Sequence, residues 1–201
     1  MTGTVAPAVV APGKGERTRG RLLEIAVRRF AADGYRRTSV SDIAREAGLT
    51  PAAAYAYFAG KEALFKAAVD ADAAALIEES GAGLDGPVRK RFPLRVGELV
   101  ARVDAHPLAR RVLAGREPEV VGRLLDLPSL KALTAAFAED LDAGQESGEV
   151  RRDVDPGVVA TGMEAIVLSL LMGMVQAGVA PDSERAAAVV VVLDAALRPP
   201  S

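Results

Sequence analysis

The sequence predicts an all-α chain, and three observations carry that prediction. Half of its 201 residues are hydrophobic but only 4% are aromatic, a composition that favours helices over a β-rich core. Apolar residues recur at helical spacing, as at Leu22, Ile25, Ala26 and Phe30, on one face of a helix. Glycine and proline stand where such stripes stop and start, at Gly34, Gly48, Pro51, Pro107 and Pro156, in keeping with their preferences for helix ends and first turns.

Taken in order, the first helix runs from Thr18 to Ala32, with Gly34 offered as a left-handed stop. Ser39-Val40-Ser41-Asp42 supplies a hydroxyl cap with an acid three residues on, so a second helix covers Val40 to Ala47 and ends at Gly48. Leu49 fills the turn, Thr50 caps a third helix that continues to Phe58, and Pro51 takes its first position. Two short helices across a turn that opens with glycine make a helix-turn-helix, with the first helix as its support. A fourth helix opens near Gly60-Lys61-Glu62 and extends through Leu76.

The remainder is helical but more loosely punctuated. Residues 82–93 read as a loop or broken helix, Leu94 to Ala105 as a fifth helix, and Pro107 opens a sixth that ends near Gly115. A further turn is expected over Glu119 to Leu125, and Ser129 caps a helix from Leu130 to Ala143. Asp155 caps and Pro156 starts the eighth helix, and Pro181-Asp182 starts the ninth, through Leu197. The first 15 residues read as a disordered arm rather than a signal peptide, because no basic region precedes their short apolar stretch.

Composition also excludes. With no cysteine there is no disulfide, thiolate metal site or cysteine nucleophile, and a single histidine, His106, leaves no histidine cluster for a metal. No phosphate-binding glycine loop or nucleophile motif is present, so neither catalytic residues nor a cofactor is expected. The net charge of −2 hides an asymmetry. Residues 1–66 carry 11 Lys and Arg against 6 Asp and Glu, and the rest carries 14 against 21. A basic N-terminal part suits a polyanion, and the acids after residue 70 read as solvated helix faces.

Residues 18–64 resemble the DNA-binding domain of TetR-type transcriptional regulators. The resemblance rests on Phe30-Ala31-x-x-Gly34-Tyr35, on Ile43-Ala44-x-x-Ala47-Gly48, and on Tyr55-x-Tyr57-Phe58-x-x-Lys61-Glu62-x-Leu64. It implies a three-helix DNA-binding domain over residues 16–62 and a helical effector-binding and dimerisation domain over residues 63–201. It also implies that Ser39, Thr50, Tyr57 and Lys61 hold the DNA backbone through hydroxyls, a helix N-terminus and an ammonium group. Tyr57 also suits packing, and Tyr55 either meets DNA or packs under the first helix. The third helix presents no Arg, Lys, Asn or Gln to base edges. Alanine methyls at Ala52 and Ala53 are left to meet thymine methyls, Ser41 to reach a base or phosphate, and DNA shape to supply the rest. Arg28 and Arg29 read as solvated surface.

Gly157 to Ala180 passes 24 residues with Glu164 as its only charge. Length permits a membrane span. Glu164, Gln176, the glycines at 162, 173 and 178 and the absence of a Trp or Tyr belt favour a helix buried between its own core and a second subunit. A homodimer through helices 8 and 9 on an inverted-repeat duplex is therefore expected, in the cytoplasm and without a membrane partner. The resemblance implies a pocket among helices 4 to 8 for a small hydrophobic effector, with Val100, Val103, Asp104, Phe137, Thr161, Met163, Glu164 and Leu168 as candidate liners. The function so implied is a repressor released from its operator by that effector; the alternative is a helical ligand-binding or adaptor protein with a degenerate helix-turn-helix.

Overall fold

Caps and glycines, more than propensity, set the helix ends in the computed structural model, which describes residues 13–118, 122, 124–178 and 184–200. Its helices are α1 Lys14–Arg37, α2 Val40–Glu46, α3 Pro51–Tyr55, α4 Lys61–Gly81, α5 Val88–Arg102, α6 Pro107–Leu113, α7 Pro128–Ser147, α8 Pro156–Ala177 and α9 Glu184–Leu197. No strand occurs among the described residues, so the fold is all-α.

Several ends differ from the sequence reading, each for a physical reason. Helix α1 starts earlier because Gly13 N donates to Glu16 Oε2 at 2.7 Å, satisfying a free N-terminal amide. It also continues past Ala32: Gly34, at φ +80° and ψ 168°, breaks the helix without ending it. Helix α3 stops at Tyr55, three residues short of Phe58. Helix α5 begins at Val88 rather than Leu94 and contains Pro93. The amide lost at Pro93 is outweighed by burial of Val88, Phe92 and Val96. Ser129 is not the cap of α7; Leu127 stands there, and Asp70 of α4 accepts from Ser129 N at 2.9 Å. The Asp155 cap of α8 is as expected, with Val158 N donating to its carboxylate at 2.8 Å. Pro181-Asp182, residues 1–12 and most of the turn expected from Glu119 lie outside the described residues.

Helices α1 and α4 pack through the rings of Phe30, Tyr35 and Phe65, with Phe65 4.8 Å from Phe30 and 4.9 Å from Tyr35 between centroids. Helix α4 then runs on against α5, α6 and α7, and α7 and α8 form the most extensive helix pair. Among the described residues, nothing covers the outer side of the last two helices. Helix α8 is long and apolar enough, by length and composition, to cross a membrane, yet only 28% of its most apolar stretch is buried within the subunit. Val158 on α8 is 72% exposed, and Val191 and Val192 on α9 are 66% and 63% exposed.

Candidate nucleic-acid interface and buried cavity

The helix-turn-helix is locked by local hydrogen bonds. Ser39 Oγ accepts from Asp42 N at 3.1 Å and donates to Asp42 Oδ2 at 2.6 Å, a reciprocal cap that fixes the start of α2. That hydroxyl and then Arg45 hold the Asp42 carboxyl below the usual carboxylate range. Gly48 makes the turn at φ +73°, where a side chain would be strained. Thr50 Oγ1 accepts from Ala53 N at 3.2 Å and Pro51 opens α3. Ala54 faces the core, whereas Ala52 and Tyr55 face solvent, Tyr55 being 53% exposed. Tyr55 therefore does not pack under α1, and the outward face of α3 carries methyl groups and one phenol.

The other expected contact residues stand around this helix. Ser41 and Ala53 are half-buried, and Tyr57 packs partly against the core. Lys61 Nζ donates to Arg36 O at 3.2 Å and sits 4.5 Å from the Tyr35 ring centroid, so its ammonium is braced at the junction of α1 and α4. Arg28 and Arg29 both pair with Glu46, at 2.9 and 2.7 Å. Hydrogen bonds from Arg29 and then Arg28 hold the Glu46 carboxyl below its ordinary range. Those two arginines tie α1 to α2.

Helix α6 links this head to the rest of the chain. Its first turn is capped from afar: Asp72 on α4 is buried and accepts from Leu108 N at 2.9 Å and Ala109 N at 2.8 Å. His106, at the boundary before Pro107, places Nδ1 3.3 Å from Asp72 Oδ1. At the other end Gln176 of α8 donates to Leu113 O at 2.6 Å. Facing α1, Arg111 pairs with Glu117, whose buried carboxylate accepts from Tyr35 N. The sequence reading missed Asp70, Asp72, Arg111 and Glu117. Their partners lie far along the chain, and no local pattern marks them.

On its opposite face α6 lines an apolar cavity of about 50 Å³. Ala109, Val112 and Leu113 face Val69, Ala73, Leu76 and Ile77 of α4, Leu99 of α5, Leu127, Leu130 and Leu133, and Val167, Leu168 and Leu171 of α8. Every lining residue is aliphatic. Of the liners expected from sequence, this cavity takes in Leu168. Phe137 and Met163 border a separate void of about 10 Å³, Val100 and Val103 pack on α5 and the turn after it, and Asp104 and Thr161 face solvent. Glu164 is 9% exposed; its Oε2 accepts from Thr134 at 2.6 Å.

Comparisons with known proteins agree with this geometry. Residues 22–68 match the model of the bacterial regulatory proteins of the tetR family. The chain is 33% identical over 144 residues to the A-factor receptor protein of Streptomyces griseus, covering 69% of this chain and 48% of that one, so it spans about half of that relative's length. It is 27% identical over 187 residues to the uncharacterized HTH-type transcriptional regulator YdgC of Bacillus subtilis (strain 168), covering 90% and 92% of the two chains. A TetR-family regulator structure from Rhodococcus sp. superposes with a TM-score of 0.69 at 23% identity, over 90% of this chain and 98% of that one. A locked helix-turn-helix in a matching 47-residue segment, carried on a matching helical body, means that the chain belongs to the TetR family of DNA-binding transcriptional regulators.

Proposed function

We propose that the chain is a dimeric, cytoplasmic repressor that holds an inverted-repeat operator and releases it when a small hydrophobic effector enters the cavity among α4 to α8. One observation carries this reading: α6 lines the cavity with Ala109, Val112 and Leu113 and clasps α1 of the DNA-reading head through Arg111 and Glu117. A ligand that needs more room than 50 Å³ must displace these helices, and so favours one shape over another. The relative named as an A-factor receptor supports a receptor role.

Residues 16–62 are the proposed reading head and residues 63–201 the effector and dimer domain, with 1–15 as an arm. Ser39, Thr50, Tyr57 and Lys61 hold phosphates; Ser41, Ala52, Ala53 and Tyr55 meet the groove. The exposed valines of α8 and α9 support a two-fold interface through those helices, which would also bury the apolar length of α8. The test is selection of bound sequences from a random duplex library at moderate salt, using protein of verified oligomeric state. An inverted repeat with half-sites about one helical turn apart is the expected result. Salt-sensitive binding without enrichment would instead favour a ligand-binding or adaptor protein with a degenerate helix-turn-helix.

A further inference from the structure

A second recess, polar where the first is aliphatic, lies where the reading head meets the body. It is an open cleft of about 480 Å³, within the roughly 300–1,000 Å³ of small-molecule sites. One wall is the end of α1, from Asp33 to Arg37; the other is Arg111 of α6 with Arg116, Glu117 and Pro118 after it. Four arginines therefore line it against two acids. One of those acids, Glu117, is buried and already neutralised by Arg111. Arg37 and Arg116 are exposed, one on each wall. A concave surface with an excess of one sign focuses its field on a counter-ion, and its cations repel one another until an anion lies between them.

Two of these side chains are anchored before any ligand arrives. Arg37 Nε donates to Asp33 O at 3.0 Å, a backbone carbonyl that leaves the guanidinium charge uncancelled. Arg111 is held by Glu117 and by Ala31 O. Anchored planar forks suit phosphate oxygens, which arginine takes two at a time, and their prior order lowers the entropic cost of binding. We propose that the cleft binds a small phosphate-bearing anion with at least two negative charges, which bridges Arg37 at the end of α1 to Arg116 beyond α6. Such a ligand ties head to body beside the Glu117–Tyr35 clasp. The apolar cavity lies on the opposite face of α6, so the site stands whatever enters that cavity.

Pyrophosphate is the probe, titrated calorimetrically into the full-length protein at constant ionic strength set with chloride. Saturable binding and a raised thermal midpoint are expected. Arg37→Ala and Arg116→Ala should each weaken binding at least fivefold, and the double variant should abolish it. Both side chains are at the surface, so these variants keep the buried clasp. Arg110→Ala removes one charge from α6 at a side chain that pairs with Asp104 outside the cleft, and should bind within twofold of the wild type. No saturable binding, binding unchanged in the double variant, or an equal loss in Arg110→Ala would each overturn the site, the last by showing diffuse attraction alone. The titration is repeated on protein saturated with duplex DNA, where unchanged affinity is expected. Displacement of pyrophosphate by the duplex would overturn the small ligand and give the cleft to a backbone phosphate instead.

Discussion

The backbone N–H of Tyr35 points at the carboxylate of Glu117, 82 positions further along the chain, with nitrogen–oxygen distances of 3.2 and 3.3 Å. This amide is free because Gly34 breaks α1 one residue earlier. A helix break in the reading head is thus closed by a side chain from beyond α6, and Arg111 of α6 neutralises that side chain.

Replacing Glu117 should therefore cost more than a surface charge does. Glu117 is 3% exposed, and its loss strands the Tyr35 amide and leaves the Arg111 guanidinium without its ion-pair partner, holding only Ala31 O. Breaking a buried pair costs about 3–5 kcal/mol, and Arg111 keeps some access to water, so Glu117→Ala is expected to lose about 2–3 kcal/mol in urea unfolding. Glu117→Gln keeps an acceptor for Tyr35 and should lose about half as much. A loss under about 0.5 kcal/mol for the alanine variant would remove the clasp from the coupling mechanism.

Gly34 is the second half of the same joint. At φ +80° and ψ 168° it occupies a region essentially reserved for glycine. A Cβ there would clash with Arg111 Nη2 and lie 2.9 Å from Glu117 Oε1. Gly34→Ala should destabilise by about 2–4 kcal/mol, combining the backbone cost with displacement of the ion pair. Thermal unfolding of Gly48→Ala supplies a reference for a positive-φ glycine whose Cβ would meet open space, and Gly34→Ala is expected to lose more than that reference.

What could be read from sequence was the short-range part. Thr50-Pro51, Asp155-Pro156, Ser39-x-x-Asp42 and Gly48 act within four residues, so their pattern is their mechanism. Asp70 and Asp72 sit on α4 among what read as solvated acids, yet they cap helices 59 and 36 positions away. Nothing near them in the chain announces those amides. Pro93 misled in the opposite direction, as a strong local stop signal overruled by the burial of Phe92 and Val96. The reading head was recoverable because it is built from local caps; the pocket was not, because it is defined by five helices meeting.

Lys61 offers a direct test of the phosphate contacts. Its ammonium is held over Tyr35 and against Arg36 O, which fixes the charge beside α3 at little entropic cost on binding. Each lost phosphate contact lowers the salt slope of binding by about 0.9, so Lys61→Ala in both subunits should lower it by about 1.8. Arg28→Ala, where the side chain already pairs with Glu46, should change the slope by less than half as much. Filter binding across a salt series on the selected operator measures both. An unchanged slope for Lys61→Ala would make that lysine a brace alone.

The dimer reading makes opposite demands on one residue. A Cβ added at Gly162 on α8 meets nothing within 4 Å in the subunit, so Gly162→Ala should be harmless or stabilising to an isolated chain, by up to about 1 kcal/mol from helix propensity. A large side chain at the same place should block close approach of a second α8. Sedimentation equilibrium is expected to find Gly162→Leu, and independently Val158→Glu, as folded monomers. A Gly162→Leu dimer of unchanged affinity would move the interface off this face of α8.

Attachment of α9 should respond to acid with a defined sign. Hydrogen bonds from Arg89 of α5 first, and from Arg198 second, hold the Asp194 carboxyl below its ordinary value of 3.8. A carboxyl whose pKa is depressed by folding binds fewer protons in the folded than in the unfolded state around that value. Its stabilising contribution is complete above the ordinary value and drains away as pH falls below it, through the lower folded-state value. Asp194→Asn removes the titrating group, so the variant should start less stable at neutral pH and lose less as the pH is lowered from 5 to below 3.8. Thermal midpoints for both proteins across that interval should therefore converge. Parallel curves would mean that Asp194 makes no contribution to the acid response and that α9 is held by the burial of Leu193 and Leu197.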